Sequence, residues 1–456
     1  TLEADRRQRQ MCIRDSHYSD PIAVLNLDPV IDSLREKISD PDYIRNLARK
    51  LLLDNSHRVT LVMEPDKDLS ARRLQAEAER LAAIKAGMDE QQRQATVQLA
   101  ADLVSRQEMV DDESILPKVE LSDVPAAFPD LSFERSESGG MPVTRYGQGT
   151  NGLVYQQLVT PLPALSPQQT AVLPLYSSFL TELGLGEDSY MDAQDRQSAE
   201  VGSINAFTSM RGKVDDEQSV QANFILSSKA LLRNVSQQAS LMHDTLYSAR
   251  FDETTRLREL VNQQRARREQ SITGNGHGLA MAAACAGMSP LAHLNHELSG
   301  LAGIRKLRQL DDSLKDDGHL QAFCEQLQSI HRLVCRMPRE LLVIAEPQEV
   351  ERVASLAAQA FSRENGNAVD SLQLAPVRER RGEFWLTNTQ VNFCARAYPT
   401  VPVGHPDAAA LTVLGGFLRN GFLHRAIREQ GGAYGGGASQ DSGIAAFRFY
   451  SYRDPR

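Results

Sequence analysis

The chain has 456 residues, a formal net charge of −9 at pH 7, 41% apolar residues and 24% charged residues. That length exceeds what one hydrophobic core ordinarily serves, so two or three domains are expected. The acidic balance argues against a general nucleic-acid surface, and no run approaches the roughly 18 uninterrupted apolar residues of a membrane span.

Residues 1–16, TLEADRRQRQMCIRDS, are polar, lack the apolar segment of a signal peptide, and are expected to be a non-native leader. Asp20-Pro21 opens a helical pattern through Ile22, Val24 and Leu25, with proline at the first helical position. A second helix is expected from about Asp42 to Leu53. HRVTLVMEP then alternates as a strand, with Val59, Leu61 and Met63 on one face and Pro65 ending it. Over residues 67–112 a helical period runs through Leu74, Leu81, Ile84 and Met88, breaks at Gly87, and resumes through Val97, Leu99, Leu103 and Val104. Glycine followed by Asp89 suits one helix end and a new start. An antiparallel helical hairpin follows from this, and LPKVELSDVP leads on as an extended linker.

From about Met141 the pattern becomes α+β. PVTRYGQ and GLVYQQLV alternate as strands around the turn Gly149-Thr150-Asn151-Gly152. Ser166-Pro167 starts a helix that ends at Gly184. AEVGSINAFTSM and VQANFILSS read as strands, followed by helices around 230–249, 253–271, 277–287 and 290–310. A similar order returns near the end. EFWLTNTQVNFCARAY is strand-rich, Pro406-Asp407 opens a helix carrying Leu411, Val413, Leu414 and Leu418, and GIAAFRFYSYR alternates again. The two units suggest an internal repeat.

Five cysteines, Cys12, Cys285, Cys324, Cys335 and Cys394, lie far apart with no CxxC pair. They fit reduced, mostly buried thiols in a reducing compartment, and Cys394, between Phe393 and Ala395, is expected to pack in a core. HLNHELSG gathers His293, His296 and Glu297 but spells neither HExxH nor HxxEH, so solvated helix polarity is expected there rather than a metal site. ITGNGHGLAM fails the GxGxxG spacing and reads as an interhelical turn more than a phosphate loop. The remaining segment, RAIREQGGAYGGG, sets Arg428 at a helix end and Tyr434 six residues later, across Gly431-Gly432. A tight helix-ending turn is one reading. The other is a ligand contact, because a permanent cation and a phenolic donor can bind a substrate carbonyl and stabilise its developing oxyanion. These residues supply neither nucleophile nor base.

SDPIAVLNLD, LLLDNSHRVTLVMEPD, RFDE, GNGHGLAM, GLAGIRKL, TVPVGHPDAAALTVLGG, LHRAIREQGGAYGGGASQ and FYSYRDP together resemble the pitrilysin/insulinase family of zinc metallopeptidases, in its presequence-protease (peptidasome) branch. The resemblance runs nearly continuously from about residue 17 to the end. It implies repeated pitrilysin-type α/β sandwich domains joined by an antiparallel helical hairpin, two halves enclosing a proteolytic chamber. On that pattern residues 17–66 are the end of the second domain and 67–137 the hinge connector. Residues 138–370 are the third, zinc-less domain, and 371–456 the start of a truncated fourth.

The family holds zinc with an HxxEH motif and a downstream Glu in its first domain, the motif's Glu acting as general base on the zinc-bound water. LPLYSSFLTELGLGEDSYMDAQDR contains no histidine, so zinc is expected in the N-terminal half and not in this chain. The family's arginine and tyrosine that reach the substrate match Arg428 and Tyr434, with Gly431 and Gly432 bordering the peptide. The implied activity is zinc-dependent endoproteolysis of short unstructured peptides, with the chain alone inactive. The implied partners are peptide substrates and the N-terminal half of the same enzyme, without nucleic acid or membrane. The implied location is the bacterial cytoplasm, or the mitochondrial matrix or plastid of a eukaryote. The alternatives are a non-catalytic partner subunit of a pitrilysin-type heterodimer, or a peptide-binding protein without turnover.

Overall fold

The structure, a computed structural model, describes residues 26–109, 112–127, 130–361 and 370–455. The expected leader, Cys12 and the helix start at Asp20-Pro21 lie outside the described residues. The chain divides into two compact units, residues 1–124 and 125–456.

The first unit contains helices α1 (Asp28–Ile38), α2 (Tyr43–Ala48), α3 (Leu69–Gly87) and α4 (Glu90–Glu108), with a π-helical turn, Arg49–Leu53, continuing α2. The break expected at Gly87 is built by a reciprocal cap. Asp89 Oδ1 accepts the Gln92 N–H at 2.8 Å, and Gln92 Oε1 accepts the Asp89 N–H at 3.1 Å, so two otherwise orphaned donors are satisfied at the start of α4. The strand expected over HRVTLVMEP does not form. Val59, Leu61 and Met63 stand open to solvent, and the segment has no ladder. Alternation prepares a strand, but only a partner's N–H and C=O groups complete one, and this unit has no strand among its described residues.

The second unit begins with β1 (Glu134–Ser138), β2 (Met141–Gly147) and β3 (Leu153–Pro161). Then come α5 (Pro167–Phe179), α6 (Tyr190–Glu200), β4 (Ser203–Lys213) and β5 (Asp216–Leu231). Six helices follow: α7 (Val235–Tyr247), α8 (Thr254–Gly274), α9 (Gly276–Cys285), α10 (Pro290–Ser299), α11 (Leu301–Ser313) and α12 (Asp317–Arg336). Next are β6 (Glu340–Ala345), α13 (Val350–Ala360) and β7 (Asn392–Pro399). The chain continues with α14 (Ala408–Leu418), a π-helical segment, Arg419–Gln430, β8 (Gly435–Asp441) and β9 (Ala446–Asp454).

The six-stranded sheet has the order β1-β2-β6-β3-β5-β4. The two strands expected around Gly149–Gly152 exist but do not pair with each other. β6 lies between them, parallel to β2 (Val143↔Leu341) and antiparallel to β3 (Leu158↔Leu341). The turn is held open by the residue that follows β6: Glu346 Oε1 accepts the N–H groups of Thr150 at 2.9 Å and Gly152 at 3.3 Å. Asn151 and Gly152 take the positive φ values of 53° and 78° that such a turn requires. Val143, Leu158, Leu226 and Val343 of the sheet bury their side chains in one core with Leu173 and Val353 of the covering helices.

The second sheet, β7-β9-β8, is antiparallel. Its connectivity repeats that of β3-β5-β4: a strand, helix, then a hairpin whose second member returns beside the first strand. This shared topology supports the internal repeat. A small cluster, Cys285, Leu291, Ala292, Ile444 and Ala446, joins α9 and α10 to β9 and the turn before it.

Three expectations change here. EFWLTNT is extended without a ladder, with Phe384 and Leu386 exposed, because β7 pairs only with β9 and its other edge has no partner. Cys394, on that edge strand, is exposed rather than in a core. The helix expected over 290–310 is two helices, broken at Gly300, where a Cβ would lie 2.8 Å from the His296 carbonyl oxygen.

Candidate functional site

The segment RAIREQGGAYGGG ends the π-helical stretch and enters β8. Gly431 N–H donates to the Ala426 carbonyl at 3.0 Å, Gly432 N–H to that of Arg428 at 3.2 Å, and Ala433 N–H to that of Ile427 at 3.1 Å. Gly432 has φ +74°, the left-handed conformation that ends a helix at low steric cost only for glycine. A Cβ on Gly431 would lie 2.7 Å from the Ile427 carbonyl oxygen. The two readings of this segment therefore share one geometry: the helix-ending turn is what brings residue 434 back toward residue 428. Beyond it, a Cβ on Gly436 would meet Ile427 at 2.8 Å and one on Gly437 the Tyr450 hydroxyl at 3.0 Å. Bare backbone lets β8 lie this close to the helix and to Tyr450.

Arg428 and Tyr434 are both exposed, and the Arg428 guanidinium carbon lies 5.6 Å from the centre of the Tyr434 ring. A second guanidinium, that of Arg453, stands 5.6 Å from the same ring and 5.1 Å from that of Tyr452. Tyr434 meets Tyr452 edge-on at 5.5 Å and 78°, and Tyr452 meets His277 edge-on at 4.7 Å and 72°. Burial pushes the His277 imidazole below its ordinary range, favouring the neutral ring. Neither Arg428 nor Arg453 is joined to a carboxylate among the described residues. The arrangement offers permanent positive charge beside a phenol held by its ring faces, which suits an electron-rich oxygen.

Sequence reasoning picks out Arg428, Tyr434, Gly431 and Gly432, and these do come together. It misses Arg453, Tyr452 and His277 as neighbours of the site. His277 stands in the GNGHG stretch, which proves to be an interhelical turn: Asn275 alone separates α8 from α9. A Cβ on Gly276 would lie 2.4 Å from the Phe393 ring, so that glycine serves packing against β7 and leaves no room for a phosphate.

The histidine cluster is not solvated as expected. His296 is 1% exposed, its Nε2 3.2 Å from Glu383 Oε2, with its ring edge-on to Trp385 at 6.2 Å. Burial lowers its pKa, and the charges of Glu383 and Glu297 oppose that fall only in part. Glu297 is taken by Lys306 at 2.5 Å. Among the described residues no three His, Cys, Asp or Glu side chains converge to hold a metal ion. These residues do not fit a zinc site. The four described cysteines are free. A cleft of about 1920 Å³, lined by Leu279, Ala283, Arg305, Arg380, Trp385 and Phe393 among others, opens beside α9, and neither Arg428 nor Tyr434 lines it.

Residues 63–310 match the family of associated domains of M16 peptidases, subfamily C, and residues 325–456 match the Peptidase M16 inactive domain. The chain belongs to the M16 peptidase family, to the part of it described by those two matches. Among its relatives are the mitochondrial presequence proteases of Danio rerio, 27% identical over 96% of this chain and 45% of that protein, and of Yarrowia lipolytica, 28% identical over 96% and 44%. Presequence protease 1, chloroplastic/mitochondrial, of Arabidopsis thaliana is 26% identical over 96% of this chain and 41% of its own. The chain thus spans less than half the length of these curated relatives. Among solved structures, the peptidase M16 inactive domain from Pseudomonas fluorescens is 15% identical with a TM-score of 0.47, covering 72% of this chain and 75% of that one. Pitrilysin is 16% identical with a TM-score of 0.46, covering 71% and 34%. Among the described residues no helix is long and apolar enough to cross a membrane.

Proposed function

We propose that this chain is the C-terminal half of a zinc-dependent endopeptidase that degrades short, unstructured peptides in a closed chamber. Its part is to bind the substrate. The observation that carries this reading is the convergence of two exposed groups, the Arg428 guanidinium and the Tyr434 phenol, across the Gly431-Gly432 turn. Family membership and the names of the relatives supply the reaction class. On this reading Arg428 and Tyr434 receive the oxygen of the scissile carbonyl, and the hydrogen bond and charge they offer gain strength as negative charge develops there. Gly431 and Gly432 let the backbone of an extended peptide lie against the turn. The zinc ion, which polarises the substrate and activates water in such enzymes, and the general base are assigned to an N-terminal half.

The domain pattern given by the resemblance, with residues 67–137 as a hinge, 138–370 as a zinc-less third domain and 371–456 as the start of a fourth, belongs to the same proposal. So does a location in an organelle matrix or a bacterial cytoplasm. A second reading, a non-catalytic partner subunit, draws on the match of residues 325–456 to an inactive domain. Hydrolysis of a fluorogenic peptide separates the two. The isolated chain supplied with zinc is expected to show neither turnover nor stoichiometric metal, while the full-length protein turns the peptide over. Turnover by the isolated chain would end the first reading, and an inactive full-length protein would establish the second.

A further inference from the structure

We propose that Arg453 is a positioning residue of this site, fixing Tyr434 and adding a second cation beside the substrate carbonyl. The inference rests on the carbonyl-binding reading of Arg428 and Tyr434 given above.

The backbone singles out Arg453. Across the β7–β9 ladder Phe393 faces Tyr452 and Asn392 faces Asp454, with a register shift between Asn392 and Phe393. Arg453 is the extra residue of a bulge, with φ +55°, and a long side chain seldom occupies that region without cause. Bulges of this kind re-aim a side chain at a sheet's end. Here the guanidinium is delivered to the Tyr434 ring, 5.6 Å from its centre, and to that of Tyr452 at 5.1 Å. The same residue's carbonyl accepts the Tyr434 N–H at 3.4 Å. Arg453 therefore touches Tyr434 from both its backbone and its side chain.

The charge arrangement gives this contact a consequence. Arg428 and Arg453 approach one ring at the same 5.6 Å, and neither is joined to a carboxylate among the described residues. Two uncompensated cations near each other repel. Negative charge developing on a bound carbonyl oxygen relieves that repulsion more in the transition state than in the ground state, which is the condition for raising kcat rather than only tightening binding. The ring is held by Arg428, Arg453 and the edge of Tyr452, so the hydroxyl is left to donate to the substrate.

The test uses the full-length enzyme and a fluorogenic peptide. Arg453→Ala should lower kcat about 10- to 100-fold, the scale of a misplaced catalytic contact, with KM changed by less than about threefold. Arg453→Gly, which accepts φ +55° without strain, should lose as much, and Arg453→Lys should recover part of the rate. In a Tyr434→Phe background Arg453→Ala should cost little more, because residues that act as a unit are not additive. An undiminished kcat in Arg453→Gly, or an equal further loss in the Tyr434→Phe background, would overturn the proposal while leaving the carbonyl-binding reading intact. If Tyr434→Phe and Arg428→Ala themselves leave kcat unchanged, that reading fails and this inference falls with it.

Discussion

Tyr434 donates its backbone N–H to the Arg453 carbonyl at 3.4 Å, while its ring faces the Arg428 guanidinium at 5.6 Å. One tyrosine thereby ties the end of β9 to the end of the preceding helix. The residues between Arg428 and Tyr434 are the hinge of that tie, and their chemistry can be varied separately.

Removing either functional group tests the site directly. In the full-length enzyme Tyr434→Phe deletes only the hydroxyl and Arg428→Ala only the guanidinium and its stem. Each should lower kcat about 10²–10³-fold, as loss of an oxyanion donor does. Steady-state kinetics on one peptide suffices, and a kcat unchanged in both variants would remove the assignment.

Gly432→Ala tests the turn without touching either side chain. A Cβ there meets nothing nearer than Pro455 Cγ at 3.8 Å, so the cost arises from φ +74° alone. A left-handed residue bearing a Cβ costs roughly 1–2 kcal/mol, and the turn should distort with a matching drop in the urea midpoint and a lower kcat. Gly435→Ala is the control. Its Cβ would meet nothing within 4 Å, and its φ is ordinary, so stability should hold.

The core carries a pH-dependent element. His331 is buried, its Nδ1 3.1 Å from the Tyr176 hydroxyl and its Nε2 3.6 Å from Cys335 Sγ. Burial drives its pKa from 6.5 down to about 4, only partly offset by the backbone carbonyl of Leu246. Burial likewise pushes Cys335 up to about 11 and Tyr176 above its ordinary range, so both stay neutral in acid. The folded-state pKa of His331 lies below the unfolded one, so its contribution is whole above pH 6.5 and is lost as pH falls toward 4. The span is worth about 3 kcal/mol at about 1.36 kcal/mol per unit. Urea titrations between about pH 4 and 7 should show this slope, and His331→Gln should flatten it. A wild-type slope retained in the variant would assign the effect to another group.

What is legible in the sequence is local. Ser166-Pro167 and Asp89 announce helix starts because capping is decided within four residues, and both reciprocal caps are present. Alternation finds the strands of both sheets. The glycine segment with Arg428 and Tyr434 can be read because its turn brings together residues six apart.

Pairing is decided only by the fold. Nothing in PVTRYGQ or GLVYQQLV says that β6, almost two hundred residues on, will come between them, and HRVTLVMEP has the alternation of a strand yet no ladder. Arg453 stays invisible for the same reason: its aim depends on a bulge set by the register of β9 against β7. Side-chain period and caps are properties of neighbouring residues, which sequence contains. Register, burial and the meeting of charges depend on which distant segment supplies the partner, and the chain settles that only when it folds.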